Sequence, residues 1–174
     1  VIIGANDFQN QLILKAKSLG YETHVFAWEE GAVGKSTADY FYPISIVEKE
    51  EILDKCKQIK PDGVCSIASD LASITVNYVA ENLGLPCNKM KYSAIQTNKY
   101  KMREAFMAAG LPCPKFVLAD ENFDESQVKD FKFPIIVKPT DRSGSRNIMK
   151  LESTDGLLKA IKEACETSFE KKAI

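Results

Sequence analysis

One stretch of the sequence combines the residue types that handle phosphate: Pro134-Ile135-Ile136-Val137-Lys138-Pro139-Thr140-Asp141-Arg142-Ser143-Gly144-Ser145-Arg146-Asn147-Ile148. An apolar strand ends in a lysine, a loop of small residues follows, and a second strand returns. Small residues let backbone N–H groups close on phosphate oxygens, and Ser143 and Ser145 add hydroxyl donors. A lysine half-shielded at a strand end can hold a phosphate as a point charge. The same residues suit a polar hairpin turn with incidental charges, and residue types alone do not choose between the two.

Other candidate chemistry is weaker. Gly31-Ala32-Val33-Gly34-Lys35-Ser36-Thr37 invites a P-loop reading, but Glu29 stands where the first glycine of that pattern belongs. The stretch also leads into another strand rather than the helix a phosphate cradle needs, so a flexible turn is the better account. Gly4-Ala5-Asn6-Asp7-Phe8-Gln9 keeps one glycine of the three in a dinucleotide fingerprint. Asn6, Asp7, Phe8 and Gln9 could still meet a small substrate there, as could Ser69 and Asp70 after a later strand, where Asp70 reads equally as a helix N-cap. The single histidine, His24, cannot build a metal site and reads as a strand residue. The five cysteines, Cys56, Cys65, Cys87, Cys113 and Cys165, are odd in number and form no C-x-x-C pair. They point to buried thiols in a reducing cytoplasm, not to disulfides or zinc.

The elements that must position these residues alternate between strand and helix. Val1–Ile3 reads as a strand stopped by Gly4, and Phe8, Leu12, Ala16 and Leu19 fall at helical spacing before Gly20. Strands are expected at 23–28, 40–44 and 63–67. A helix carrying Ile52, Leu53, Cys56 and Ile59 must end before Pro61. Another has Leu71, Ile74 and Tyr78 on one face. This alternation predicts parallel βαβ units and a doubly wound α/β sheet. Near residue 92 the pattern changes, giving domains of 1–92 and 93–174. Helices at 89–96 and 98–109 come in close succession. Strands follow at 115–118, 133–138 and 147–151, with a polar, uncertain segment at 121–131. Ser153 is expected to cap a last helix carrying Leu157, Ile161, Ala164 and Cys165.

Apolar residues make up 45% of the 174, enough for a sizeable core, and the net charge of −1 gives no electrostatic case for nucleic acid. No apolar run approaches the roughly 18–20 residues of a membrane span. The opening Val1-Ile2-Ile3-Gly4 lacks an initiator Met, which suggests that a few residues precede it.

The order of three motifs carries a resemblance. Thr97-Asn98-Lys99-Tyr100-Lys101-Met102-Arg103-Glu104-Ala105-Phe106 begins a helix, Ala109-Gly110-Leu111-Pro112-Cys113-Pro114 makes a turn, and the Val137-Lys138-Pro139 strand end follows. This succession resembles the ATP-grasp superfamily: biotin carboxylase, carbamoyl-phosphate synthase, and purine-pathway ligases such as phosphoribosylglycinamide synthetase. Ala38-Asp39-Tyr40-Phe41-Tyr42 and Ser69-Asp70-Leu71-Ala72 resemble the domain that precedes ATP-grasp in those enzymes. The resemblance implies a pre-ATP-grasp domain followed by the first α/β subdomain of an ATP-grasp fold. It implies that Lys99 contacts ATP from the helix start, that Lys138 lies near the phosphates, and that Ser143, Gly144 and Ser145 form the mobile loop over them. Asn147 departs from a frequent glycine, and Asp141 would repel phosphate if it pointed inward.

By the same resemblance, the full protein would be a cytoplasmic carboxylate–amine, carboxylate–thiol or bicarbonate ligase using ATP and Mg2+ through an acyl phosphate. Its partners would be small carboxylate and amine substrates, with a homodimer as the assembly. Phe169-Glu170-Lys171-Lys172-Ala173-Ile174 resembles the opening of the adenine-hinge strand, so the magnesium ligands are expected beyond residue 174 and residues 1–174 alone are expected to be inactive. The competing reading is a non-enzymatic nucleotide- or metabolite-binding α/β module. A Rossmann dehydrogenase is disfavoured by the missing glycines.

Overall fold

The computed structural model describes residues 1–174. The chain forms two compact units, Val1–Ser93 and Ala94–Ile174.

In the first unit, β1 (Ile2–Ile3), β2 (His24–Phe26) and β3 (Tyr40–Tyr42) form a parallel sheet in the order β1-β2-β3, and Cys65 bridges the free edge of β1 in parallel. Side chains alternate across a strand, and two cores follow from that alternation. Ile2 and Val25 face α1 (Asp7–Ser18) with Ile13. Ile3 and Phe26 face α2 (Lys49–Ile59) and α3 (Asp70–Asn82) with Ile52, Cys56 and Val79. Helices on both faces make the sheet doubly wound, as the sequence predicts.

The elements differ from expectation where side-chain competition decides. Of the strand expected at 63–67, only the Cys65 bridge forms. Ser66 donates to the Ile3 carbonyl at 2.5 Å, and Ala68 turns the chain with φ +54°. The buried face of α3 is Ala72, Thr75, Asn77, Val79 and Ala80, while Leu71 is exposed. Small residues allow close approach to the sheet, and Thr75 is satisfied by the Ile46 carbonyl at 2.5 Å. On α1, Gln9 and Ile13 are the buried residues, whereas Phe8 and Leu19 are exposed. Near the end of α2, Lys60 adopts φ +55° as the αL cap before Pro61.

In the second unit, α5 (Lys99–Ala108) follows the short α4 (Ser93–Thr97). β4 (Ile135–Val137) pairs antiparallel with β5 (Met149–Leu151). Beyond β4 the chain pairs with the C-terminal segment: Lys138 and Ile174 exchange backbone hydrogen bonds at 3.0 and 2.9 Å, and Ala119 and Ala173 do so at 2.9 and 2.8 Å. The 115–118 strand does not form, and pairing there is confined to Ala119. The 121–131 segment holds one 3-10 turn, Glu125–Val128. α6 (Leu157–Thr167) buries Leu157, Ala160, Ile161, Ala164 and Cys165 against this sheet. Its N-cap is Gly156 at φ +77°, not Ser153, whose hydroxyl accepts from the Asp155 amide in the preceding turn.

Candidate functional site

Lys138 immediately follows β4, on the same face as Ile136 two residues earlier. Both line a cavity of about 530 Å³ in the second unit. Its charged lining is Arg103, Lys115, Lys132 and Lys138 against Asp130 alone, beside apolar Phe116, Val117 and Ile136. Lys138 is half-buried, and that desolvation, followed by the nearby Arg103 charge, pushes its ammonium below the ordinary lysine value of 10.5. None of the chain's ion pairs uses it. A desolvated cation among cations favours an anion in contact with it. Lys35, in the P-loop-like stretch, is in the opposite situation: it pairs with Glu29 at 2.5 Å, and the Val33–Ser36 segment is a single 3-10 turn.

The loop after Lys138 leaves Ser143, Gly144 and Ser145 exposed. Gly144, Ser145 and Asn147 have φ of +69°, +55° and +54°. Asn147 holds its left-handed conformation as an asparagine, a residue that tolerates that region. Its amide also donates to the Glu163 carbonyl and to Thr167 Oγ1 at 2.8 Å, tying the loop's far end to α6. Asp141 is turned away from the loop: its carboxylate accepts from the amides of Phe169 and Glu170 at 3.1 and 2.8 Å.

Lys99 is brought to this loop by the start of α5. Asn98 caps the helix by accepting from the Lys101 amide at 3.0 Å. The Lys99 ammonium donates to the carbonyl of Arg142 and reaches that of Thr140 at 3.5 Å, and its own amide donates to Thr140 at 2.7 Å. Lys99 thus grips the neck of the loop whose tip carries Ser143–Ser145. Sequence reasoning missed this neck. Asn98 donates to the Glu170 carboxylate at 2.7 Å, and the Arg142 guanidinium lies 4.1 Å from the centre of the Phe169 ring. Their separation in sequence gave no signal.

The substrate candidates of the first unit gather at the C-terminal edge of its sheet, because Gln9 Nε2 donates to the Ile67 carbonyl. Asn6 and Gln9 form a capping box: Asn6 Oδ1 accepts from the Phe8 and Gln9 amides at 3.0 and 3.3 Å, and Gln9 Oε1 accepts from the Asn6 amide at 3.1 Å. Ser69, not Asp70, is the N-cap of α3, accepting from the Ala72 amide at 3.2 Å. Asp7, Phe8 and Asp70 remain exposed.

A wound parallel sheet followed by a smaller α/β unit is the fold of the front part of solved ATP-grasp ligases, and the chain has that fold. No family model matches the chain. It is 35% identical over 94 residues to D-alanine–D-alanine ligase B of Chromobacterium violaceum, a match taking in 52% of this chain and 31% of that protein. It is 25% identical over 172 residues to the formate-dependent phosphoribosylglycinamide formyltransferase of Prochlorococcus marinus, taking in 97% of this chain and 44% of that one. Among solved structures, N5-carboxyaminoimidazole synthetase from Staphylococcus aureus complexed with ADP superimposes with a TM-score of 0.78 at 16% identity, over 96% of this chain and 44% of that one. Phosphoribosylglycinamide synthetase from Anaerococcus prevotii does so with a TM-score of 0.68 at 20% identity, over 99% and 43%. The chain thus spans less than half the length of these relatives.

Proposed function

We propose that the second unit holds the phosphates of ATP at Lys138, and that the protein is an ATP-dependent ligase joining a small carboxylate or bicarbonate to an amine or thiol. The observation that carries this reading is the unpaired, half-buried Lys138 on one strand face with Ile136, at a cavity lined mostly by apolar and cationic groups. An apolar residue followed by a cation two positions on offers a surface for a base and then for phosphate. Ser143, Gly144 and Ser145 would close over the phosphates, and Lys99 would act from the neck of that loop. Residues 1–92 would be the domain preceding the ATP-grasp domain and 93–174 its first part. Asp7, Phe8 and Asp70 would face the carboxylate or amine substrate.

In the proposed reaction the γ-phosphoryl group passes from ATP to a carboxylate oxygen, giving ADP and an acyl phosphate. The nucleophile then attacks the acyl carbon and inorganic phosphate leaves. Positioned cations stabilise charge on the phosphoryl oxygens as it moves. Magnesium, when bound, would neutralise phosphate charge. Magnesium at a nucleotide is ordinarily held by one or two carboxylates together with the phosphates, and no group of three or more His, Cys, Asp or Glu side chains converges within residues 1–174.

The test is nucleotide binding by the full-length protein. Lys138→Ala removes a charge-assisted contact worth about 1.5–3 kcal/mol, so affinity for MgATP should fall roughly tenfold to a hundredfold. Lys35→Ala is the control and should change nothing, because Lys35 is spent on Glu29. Unchanged affinity in Lys138→Ala refutes the role. Trapping with hydroxylamine separates ligase from binding module: an acyl phosphate formed from a carboxylate and ATP yields a hydroxamate, whereas a module that only binds nucleotide yields none.

A further inference from the structure

The turn at Ser168–Lys171 is held from several directions by residues around the phosphate loop. Asp141 accepts from two successive amides, Phe169 at 3.1 Å and Glu170 at 2.8 Å. The next residue, Arg142, lays its guanidinium 4.1 Å from the Phe169 ring centre. Asn98, the cap of α5, donates to the Glu170 carboxylate at 2.7 Å. Ser168 Oγ accepts from the Lys172 amide at 3.2 Å, and Thr140, fully buried, reaches both Ser168 Oγ at 3.5 Å and the Lys172 carbonyl at 3.3 Å. Two segments that run together, Lys138–Thr140 and Lys172–Ile174, are therefore tied just before the chain leaves for the exposed loop.

A flexible loop is costly to order on a ligand, at roughly 1–2 kcal/mol per residue fixed. A loop whose base is already fixed avoids part of that cost. A carboxylate accepting from two adjacent amides is well suited to fixing it, because both bonds are charge-assisted. It also gives an acidic residue a place beside a phosphate loop, since its charge is engaged by backbone dipoles instead of facing the ligand.

We propose that Asp141 is a positioning residue: its carboxylate, with Arg142 stacked on Phe169, fastens the neck of the Ser143–Ser145 loop to the Phe169–Glu170 turn and so presets the loop for phosphate. This rests on the reading of Lys138 as a phosphate ligand. Asp141 touches no ligand, and its effect passes through the backbone it holds. Freeing the neck lets the loop and the Phe169–Glu170 turn separate, and phosphate is then met by a loop still to be ordered.

The experiment uses the full-length protein with MgADP as probe, and pairs calorimetric affinity with amide hydrogen exchange. Asp141→Ala should accelerate exchange at the Phe169 and Glu170 amides and weaken MgADP about tenfold, the size of a coupling carried through a positioned backbone. Asp141→Asn keeps a neutral acceptor and should restore much of both. Phe169→Leu, which keeps the backbone amides and loses the ring, should weaken MgADP by a smaller factor. A thermal midpoint close to wild type shows that a variant is folded. Should Asp141→Ala prove unfolded, Phe169→Leu carries the test. Faster exchange with unchanged MgADP affinity overturns the proposal, as does unchanged exchange. If Lys138→Ala leaves MgADP affinity unchanged, the nucleotide reading itself has failed. If Lys138→Ala weakens binding and the neck variants do not, only the positioning role of Asp141 has failed.

Discussion

Asp39 accepts from the Lys17 ammonium at 2.5 Å and from the amide and hydroxyl of Thr23, both at 2.8 Å. The Lys17 hydrogen bond first, then the two from Thr23, hold its carboxyl well below the ordinary 3.8, at about 2. The folded state therefore prefers the ionised form. The stability this contributes is present above 3.8 and is lost as pH falls through about 2. The thermal midpoint of the wild type should fall more steeply over that window than that of Asp39→Asn, which has no proton to take up. Parallel profiles for the two would mean that the cluster does not hold its charge in solution. Lys138 illustrates what can be read at the residue scale: a lysine closing an apolar run before a small-residue loop is visible in sequence. The engagement of Lys99 is not, because its partners are backbone carbonyls 41 and 43 residues away.

At the scale of elements, Gly34 accounts for what the P-loop-like stretch is built for. A Cβ there would lie 2.5 Å from Ile13 Cδ1 and 3.4 Å from the Ala5 Cβ, and its amide donates to the Ala5 carbonyl at 2.9 Å. The glycine lets the Val33–Ser36 turn close on α1 and the start of the sheet. Gly34→Ala should therefore destabilise the chain by about 1–3 kcal/mol through overpacking, read as a lowered midpoint in thermal or urea denaturation. An unchanged midpoint would mean that Ile13 finds another rotamer at no cost. Element ends were legible here at several places where an apolar run met Gly or Pro, as at Gly4, Gly20 and Pro61. Legibility failed where a polar side chain took over a backbone group. Ser66 and Gln9 engage the segment expected to be the fourth strand, and only Cys65 pairs. It failed again on α3, where hydrophobicity favoured Leu71 and packing chose Ala72, Thr75 and Val79.

At the scale of the whole molecule, the two units carry separate sheets, and the proposed nucleotide groups belong to the second. The chain spans 44% of a relative that it matches over almost its full length. Residues 1–174 alone should accordingly bind MgATP weakly and not catalyse ligation. In the proposed reading Lys138 and the serine–glycine loop would be the phosphate contacts within these residues. Exposed ion pairs contribute only about 0–1 kcal/mol each, and Ser143, Gly144 and Ser145 are exposed. Ordering them costs roughly 1–2 kcal/mol per residue. The balance corresponds to dissociation constants in the millimolar range or weaker, about −4 kcal/mol. Isothermal titration of residues 1–174 with ATP and magnesium measures this directly. Micromolar binding would mean that a complete nucleotide site lies within these residues, and Lys138→Ala and Lys35→Ala in the same chain would then tell whether it is at the Lys138 strand end or at the Gly31–Thr37 turn.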